Sequence, residues 1–276
     1  MKRIVLCADD YGQNSNISRA ILQLADNGRL SATSCMSAAT GWPTDAQQLR
    51  NSSADIDVGL HLTLINEPFL DPHALAGATT ATTLNGLITA AYLRRLNRDT
   101  IIQAFNIQLD RFYDGMGREP DFIDGHQHIH QLPVVRSALL AVYQQRFPHR
   151  RPYIRNLAHI QASGHAGLKP QIIRLLGARP LQRALRHHSL PHNQDFGGIY
   201  DFSPQQNYAA LMHYWLQQAQ DGALFMCHPG THHHTTDDPI AAARTHEFHY
   251  LNSHAFTDAC HHANVQLVRG HHVGWH

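Results

Sequence analysis

Short, continuous apolar runs alternate along the chain with longer stretches whose apolar positions recur every three or four residues. The runs at 3–8, 32–36, 57–64, 122–129, 153–157, 223–227 and 265–268 read as buried strands bounded by turn residues. Segments 16–27, 42–49, 99–113, 134–147, 168–187 and 203–220 carry helical spacing. The fifth of these is interrupted near Gly177 and Pro180, and the last has Pro204 in its first turn. Strands alternating with helices of this length predict an α/β fold with parallel pairing, buried on both faces. Three connections, 70–83, 187–198 and 231–239, read as surface excursions near strand ends, where a parallel barrel or sheet gathers its active site.

Composition narrows the function. Against 22 Lys+Arg stand 21 Asp+Glu, a net charge of +1, so no basic field marks nucleic acid or an acidic membrane surface as the main partner. No apolar stretch approaches the ~18 residues of a membrane span. The apolar run after Met1 meets Asp9 and Asp10 too early for a signal peptide, and Cys7, Cys35, Cys227 and Cys260 show no C-x-x-C spacing. A cytoplasmic protein is the expectation. The chain holds 24 His, so His pairs arise by chance, and only His placed by other constraints carry weight.

Four polar features end or occupy predicted strands: Asp9-Asp10-Tyr11-Gly12, His61 within 58–64, Asp124-Gly125-His126-Gln127-His128-Ile129-His130, and His228-Pro229-Gly230. Adjacent carboxylates closing a buried strand repel unless a cation, hydrogen bonds or solvent relieves them. Strand alternation lets Asp124, His126, His128 and His130 share one face, so spacing does not choose among the three His. One Asp and two His with open positions suit a catalytic divalent metal, leaving a second Asp free as a base.

These motifs, with the run Phe196 to Phe202 between them, resemble in order and spacing the YdjC-type carbohydrate deacetylases, which include chitooligosaccharide deacetylases and deacetylase-like proteins of hopanoid biosynthesis. The resemblance implies one domain over residues 1–276, a distorted or incomplete (β/α) barrel related to polysaccharide deacetylases, and hydrolysis of an N-acetyl group on an amino sugar or glycoconjugate. Matched residue by residue, it implies Asp10, His61 and His126 as metal ligands, Asp9 as base, and His228 as the acid, charged when it protonates the leaving nitrogen. Asp124 is expected to orient His126, with His128 and Tyr11 nearby; Tyr11 replaces the usual Phe in the pocket wall, and Gln13 departs from an apolar position. Magnesium is the metal the resemblance implies, whereas ligand chemistry leaves zinc, manganese or cobalt open. The expected partner is an N-acetylated sugar, with a homodimer as one allowed assembly. Another amide hydrolase or a phosphoesterase is an alternative, although no Arg or Lys cluster for phosphate lies beside the motifs in sequence. A metal-buffering protein would also account for the His content, but would bind several ions per chain.

Overall fold

The computed structural model describes residues 1–65, 72–76, 83–161, 168–231 and 238–275. Its sheet is wholly parallel. Strand β1 (Lys2–Tyr11) lies between β2 (Ala32–Cys35) and β7 (Ala223–Cys227), followed outward on one side by β3 (Asp57–Leu62), β4 (Phe122–Gly125) and β5 (Tyr153–Ile154), and on the other by β6 (Phe196–Gly197). A last strand, β8 (Val265–Leu267), pairs with the start of β1. Among the described residues only isolated bridges, Ile154 with His192 and Ile160 with Phe196, join the β5 and β6 ends. The result is a distorted, incompletely closed (β/α) barrel.

Residue parity sorts each strand between two apolar cores. Ile4, Leu6 and Ala8 of β1, Leu60 of β3, Ile123 of β4 and Phe225 of β7 belong to the core shared with the helices. Their neighbours Val5, Cys7, Ala32, Phe122, Tyr153, Leu224 and Met226 fill the barrel interior. Continuing the interior parity upward gives Asp9, Ser34, His61, Asp124, Arg155 and His228, so a polar layer tops an apolar one. Gly59 belongs to the same interior line, where a Cβ would lie 2.4 Å from the Phe122 ring.

The helices α1 (Ser15–Asp26), α2 (Trp42–Asn51), α5 (Arg98–Met116), α6 (Val135–Arg146) and α9 (Tyr208–Gln218) match predicted segments. Asn207 caps α9 by accepting from Ala210 N, so the helix starts after Pro204 rather than at it. Segment 168–187 is α7 (Lys169–Ile173), a wide turn over Arg174–Ala178 and α8 (Arg179–His187), with Gly177 at φ 127° where the interruption is expected. Helices α3 (Pro72–Ala76), α4 (Leu84–Tyr92), α10 (Ala241–Leu251) and α11 (His254–His262) were not predicted.

Two expectations are corrected. Strand β4 stops at Gly125, and His126–Gln131 is a tight 3-10 turn with left-handed Gln127 and His128. Segment 187–198 is no surface excursion: Leu190, His192, Asn193 and Phe196 are buried, and it supplies β6. Of the other two excursions, 66–71, 77–82 and 232–237 lie outside the described residues. Among the described residues no helix is long and apolar enough to cross a membrane.

Candidate active site

Adjacent residues of a strand point to opposite faces, yet Asp9 and Asp10 both reach the barrel mouth. Asp9 follows the interior parity. Asp10 adopts φ 71°, and the pairing of β1 with β2 shifts register between Ala8 and Tyr11. This irregularity re-aims the Asp10 carboxylate onto the rim. Four of the eight positive-φ non-glycine residues among the described residues, Asp10, Gln127, His128 and Phe202, belong to the segments at the mouth, where such strain often accompanies function.

Asp10 Oδ1 lies 3.0 Å from His126 Nδ1 and 3.4 Å from His61 Nε2. One donor atom from each of the three residues falls within 4.8 Å of the other two. Among His126, His128 and His130, only His126 reaches this cluster, because the turn after Gly125 breaks the strand alternation. His130 is buried, with Nε2 2.9 Å from the Arg155 carbonyl oxygen. His128 stands edge-on to Phe196, its ring Nδ1 without a partner.

Asp124 does not orient His126, contrary to expectation; it serves His61. Its Oδ1 accepts from Ser34 Oγ at 2.5 Å and from His61 Nδ1 at 2.6 Å, which leaves His61 Nε2 facing Asp10. Tyr11 is not a pocket wall either. It is fully buried and donates to the Asp45 carbonyl oxygen at 2.8 Å.

Two arginines escaped the sequence reading. Arg155, fully buried, donates Nη1 to Asp9 Oδ2 and Nη2 to Asp9 Oδ1, both at 2.6 Å. Its Nη2 also makes a charge contact of 2.7 Å with Asp124 Oδ2, without hydrogen-bond alignment. From α10, Arg244 donates Nη2 to Asp10 Oδ2 at 2.7 Å and Nε to Asp238 Oδ2 at 2.6 Å. The premise that no arginine lies beside the motifs is therefore wrong in space. Each guanidinium is nonetheless charge-paired with two carboxylates, although Arg244 Nη1 and Arg155 Nε are buried without a hydrogen-bond partner.

These contacts set the charges. Burial alone would raise Asp10 and Asp124, but Arg244 and His126 hold the first, and Arg155 and His61 the second, well below the usual carboxylate range. Burial would lower His61, yet Asp124 and Asp10 overrule it and push it up to about 10. His228 goes the other way, burial bringing it down to about 4. Its Nε2 is 3.9 Å from Asp9 Oδ2, and Phe202 packs edge-on against its ring. Burial thus favours a neutral His228 at rest, and the charge expected of it when it protonates the leaving nitrogen has to be acquired during turnover. Behind it, buried Glu247 accepts from Tyr200 Oη at 2.6 Å and from the His228 backbone amide at 2.5 Å; burial raises it to about 7.

The donor set fits a divalent cation. Two imidazoles and a carboxylate oxygen converge, and Arg244 occupies only the Asp10 oxygen turned away from both His; His61, held as an imidazolium by Asp124 and Asp10, would give up its Nε2 proton to a cation while keeping Nδ1–H on Asp124. A second cluster, Cys7, Asp9 and Asp124, is filled by the Arg155 guanidinium.

A family model described as YdjC-like protein matches residues 3–262. Chitooligosaccharide deacetylase of Klebsiella pneumoniae (strain 342) is 29% identical over 150 residues, which cover 53% of this chain and 58% of that protein. The protein of the same name from Citrobacter koseri is 30% identical over 139 residues, 49% and 53% of the two chains. The chain thus spans a little over half the length of the curated relatives it matches. In fold it is similar to an Enterococcus faecalis V583 protein provisionally named a cellobiose-phosphate cleavage protein, with a TM-score of 0.72 at 17% identity, covering 99% of this chain and 98% of that one.

Proposed function

Since the chain belongs to the YdjC-like family, we propose that it is a metal-dependent carbohydrate deacetylase, hydrolysing an N-acetyl group on an amino sugar or glycoconjugate. The observation that carries this reading is the convergence of Asp10, His61 and His126 within 4.8 Å, with Asp9 and His228 at the same mouth.

In this reading Asp10, His61 and His126 hold one divalent cation, magnesium by family resemblance. Such an ion polarises an acyl carbonyl and lowers the pKa of water, which an unactivated amide needs. Asp9 takes the proton from the attacking water, its plane fixed by the two bonds from Arg155. The amine leaves only when protonated. Because His228 rests neutral, the proton it hands to nitrogen arrives within the turnover, from Asp9 by way of one water or a short approach that closes the 3.9 Å between Oδ2 and His228 Nε2. The proton balance closes: what water loses at Asp9, the nitrogen gains through His228.

The test is acetate release from a panel of N-acetylated amino sugars, before and after chelation and with Mg2+, Mn2+, Co2+ or Zn2+ restored. Release that vanishes on chelation and returns with about one ion per chain is expected. Undiminished release without metal would overturn the reading, and several ions bound per chain without catalysis would favour metal buffering.

A further inference from the structure

The near-neutral total charge conceals a separation along the chain. Residues 125–194 hold ten Lys and Arg and no Asp or Glu, whereas the rest of the chain holds twelve against 21 and is net −9. Such asymmetry points to a face built for an anionic partner.

Part of the positive charge is used internally. Arg155 is buried on Asp9 and Asp124, Arg146 pairs with Asp110, and Arg150 pairs with Asp121. Lys169 and Arg151 donate to the carbonyl oxygens of Tyr200 and Ser189. Arg174, Arg179, Arg183 and Arg186 differ: all four are exposed, and none joins an ion pair among the described residues. Positions 179, 183 and 186 share one face of α8, opposite buried Leu181 and Leu185. These like charges repel one another, and Arg179 stands in the first turn, where the helix dipole is also positive. A negative surface relieves both costs.

Apolar side chains stand beside these arginines. Nine large apolar residues are exposed among the described residues, and five of them are Tyr92, Leu93, Leu168, Ile172 and Leu175. Ile172 and Leu175, 54% and 78% exposed, enclose Arg174 in sequence. Tyr92 Oη donates to the Leu175 carbonyl oxygen at 3.1 Å, which brings the end of α4 and the exposed Arg94 and Arg95 after it to the same place. The patch is anchored at the rim of the barrel mouth. Gln131 Nε2 donates to the Ile173 carbonyl oxygen at 2.9 Å, and Gly177 leaves no room for a Cβ against the Gln131 carbonyl. Gln131 ends the turn that begins at His126. Exposed aliphatic tips set among arginines suit a bilayer interface, where apolar groups enter and cations meet headgroups; nucleic-acid phosphates would use the charge alone.

We propose that the face formed by residues 168–187 and the end of α4 docks on an anionic phospholipid bilayer. The docking is peripheral and needs no crossing helix. It goes beyond the deacetylase reading and does not depend on it, because the test reads no chemistry at the mouth.

The test is sedimentation of the full chain with vesicles of phosphatidylcholine, alone or with about a third phosphatidylglycerol, in ~0.1 M and ~0.5 M NaCl. Partitioning to the anionic vesicles should exceed that to the neutral ones at least about tenfold and fall steeply in the higher salt. Arg179→Gln with Arg183→Gln should weaken it by about thirtyfold, whereas Arg19→Gln with Arg50→Gln, on α1 and α2, should change it little. Ile172→Ser with Leu175→Ser should weaken it by about tenfold. All these positions are exposed, and an unchanged Tm checks that each variant is folded. Failure of the wild type to sediment with anionic vesicles would overturn the proposal, as would equal binding to neutral ones. Equal losses in the two arginine pairs would remove the binding from this face. A random-sequence DNA duplex that displaces the protein from vesicles at equal phosphate concentration would overturn the bilayer as its occupant.

Discussion

Asp124→Asn isolates the carboxylate that connects both halves of the centre. The change is isosteric, and the new amide oxygen can still accept from His61 Nδ1. Its –NH2, however, would meet Arg155 Nη2, which now contacts Asp124 Oδ2 at 2.7 Å, so a charge attraction becomes donor against donor. Loss of such an orienting carboxylate typically weakens metal binding by about 10–100-fold, roughly 1.4–2.7 kcal/mol. Removing one partner of a buried ion pair costs about 3–5 kcal/mol, here toward the low end because Arg155 keeps both bonds to Asp9. At about 2–4 °C per kcal/mol, the metal-free Tm should fall by roughly 6–12 °C. The pH dependence carries a sign as well. Asp124 titrates below its ordinary range when folded, so its contribution is complete above about pH 4 and fades in the wild type as pH falls further. Asn does not titrate, and the gap between the two proteins should narrow in acid. Calorimetric metal titration and a Tm series against pH measure both effects; wild-type metal affinity together with an unchanged metal-free Tm would refute the reasoning.

Asp9→Asn should retain the bound ion yet lose about a hundredfold or more of kcat, read from acetate release beside metal content; full turnover would remove Asp9 from the role of base. His126→Ala should lose the ion on dialysis whereas His128→Ala keeps it, and the reverse result would move the ligand to His128. Glu247, raised to about 7 from 4.5, binds more protons folded than unfolded between those values, so it weakens the fold as pH rises through that window. The Tm of Glu247→Gln relative to the wild type should therefore climb between pH 4.5 and 8, and parallel curves would show that Glu247 does not titrate there.

The legible part of this protein lies in its strands. Continuous apolar runs fixed β1, β2, β3 and β7, and polar residues at their ends identified Asp9, His61 and His228, because parallel strands must finish at one mouth. The site residues missed were those whose partners are remote. Arg155 lies 146 residues from Asp9 and Arg244 lies 234 from Asp10, so no local pattern marks either. Helix α10, which carries Arg244 and Glu247, has its buried apolar residues at Ala243, Phe248 and Leu251, too irregular for a clear helical stripe. The His-x-His-x-His spacing after Gly125 misled because alternation was assumed to persist, while Gln127 and His128 adopt left-handed backbone. Tyr11 misled in the opposite way: flanking an important motif, it belongs to the core.

The polar cluster at the barrel mouth is assembled from β1, β2, β3, β4 with the turn after it, the β5 end, the β7 end and α10, segments spread along most of the chain. No fragment ending before α10 contains it, so its formation reports closure of the whole sheet and not the survival of one hairpin or helix. Whatever is captured by Asp10, His61 and His126 together must discriminate a chain in which β1, β3 and the turn after β4 are docked from any form in which one of them has come away. Its affinity is then added to the stability of the entire molecule, growing with the logarithm of its free concentration.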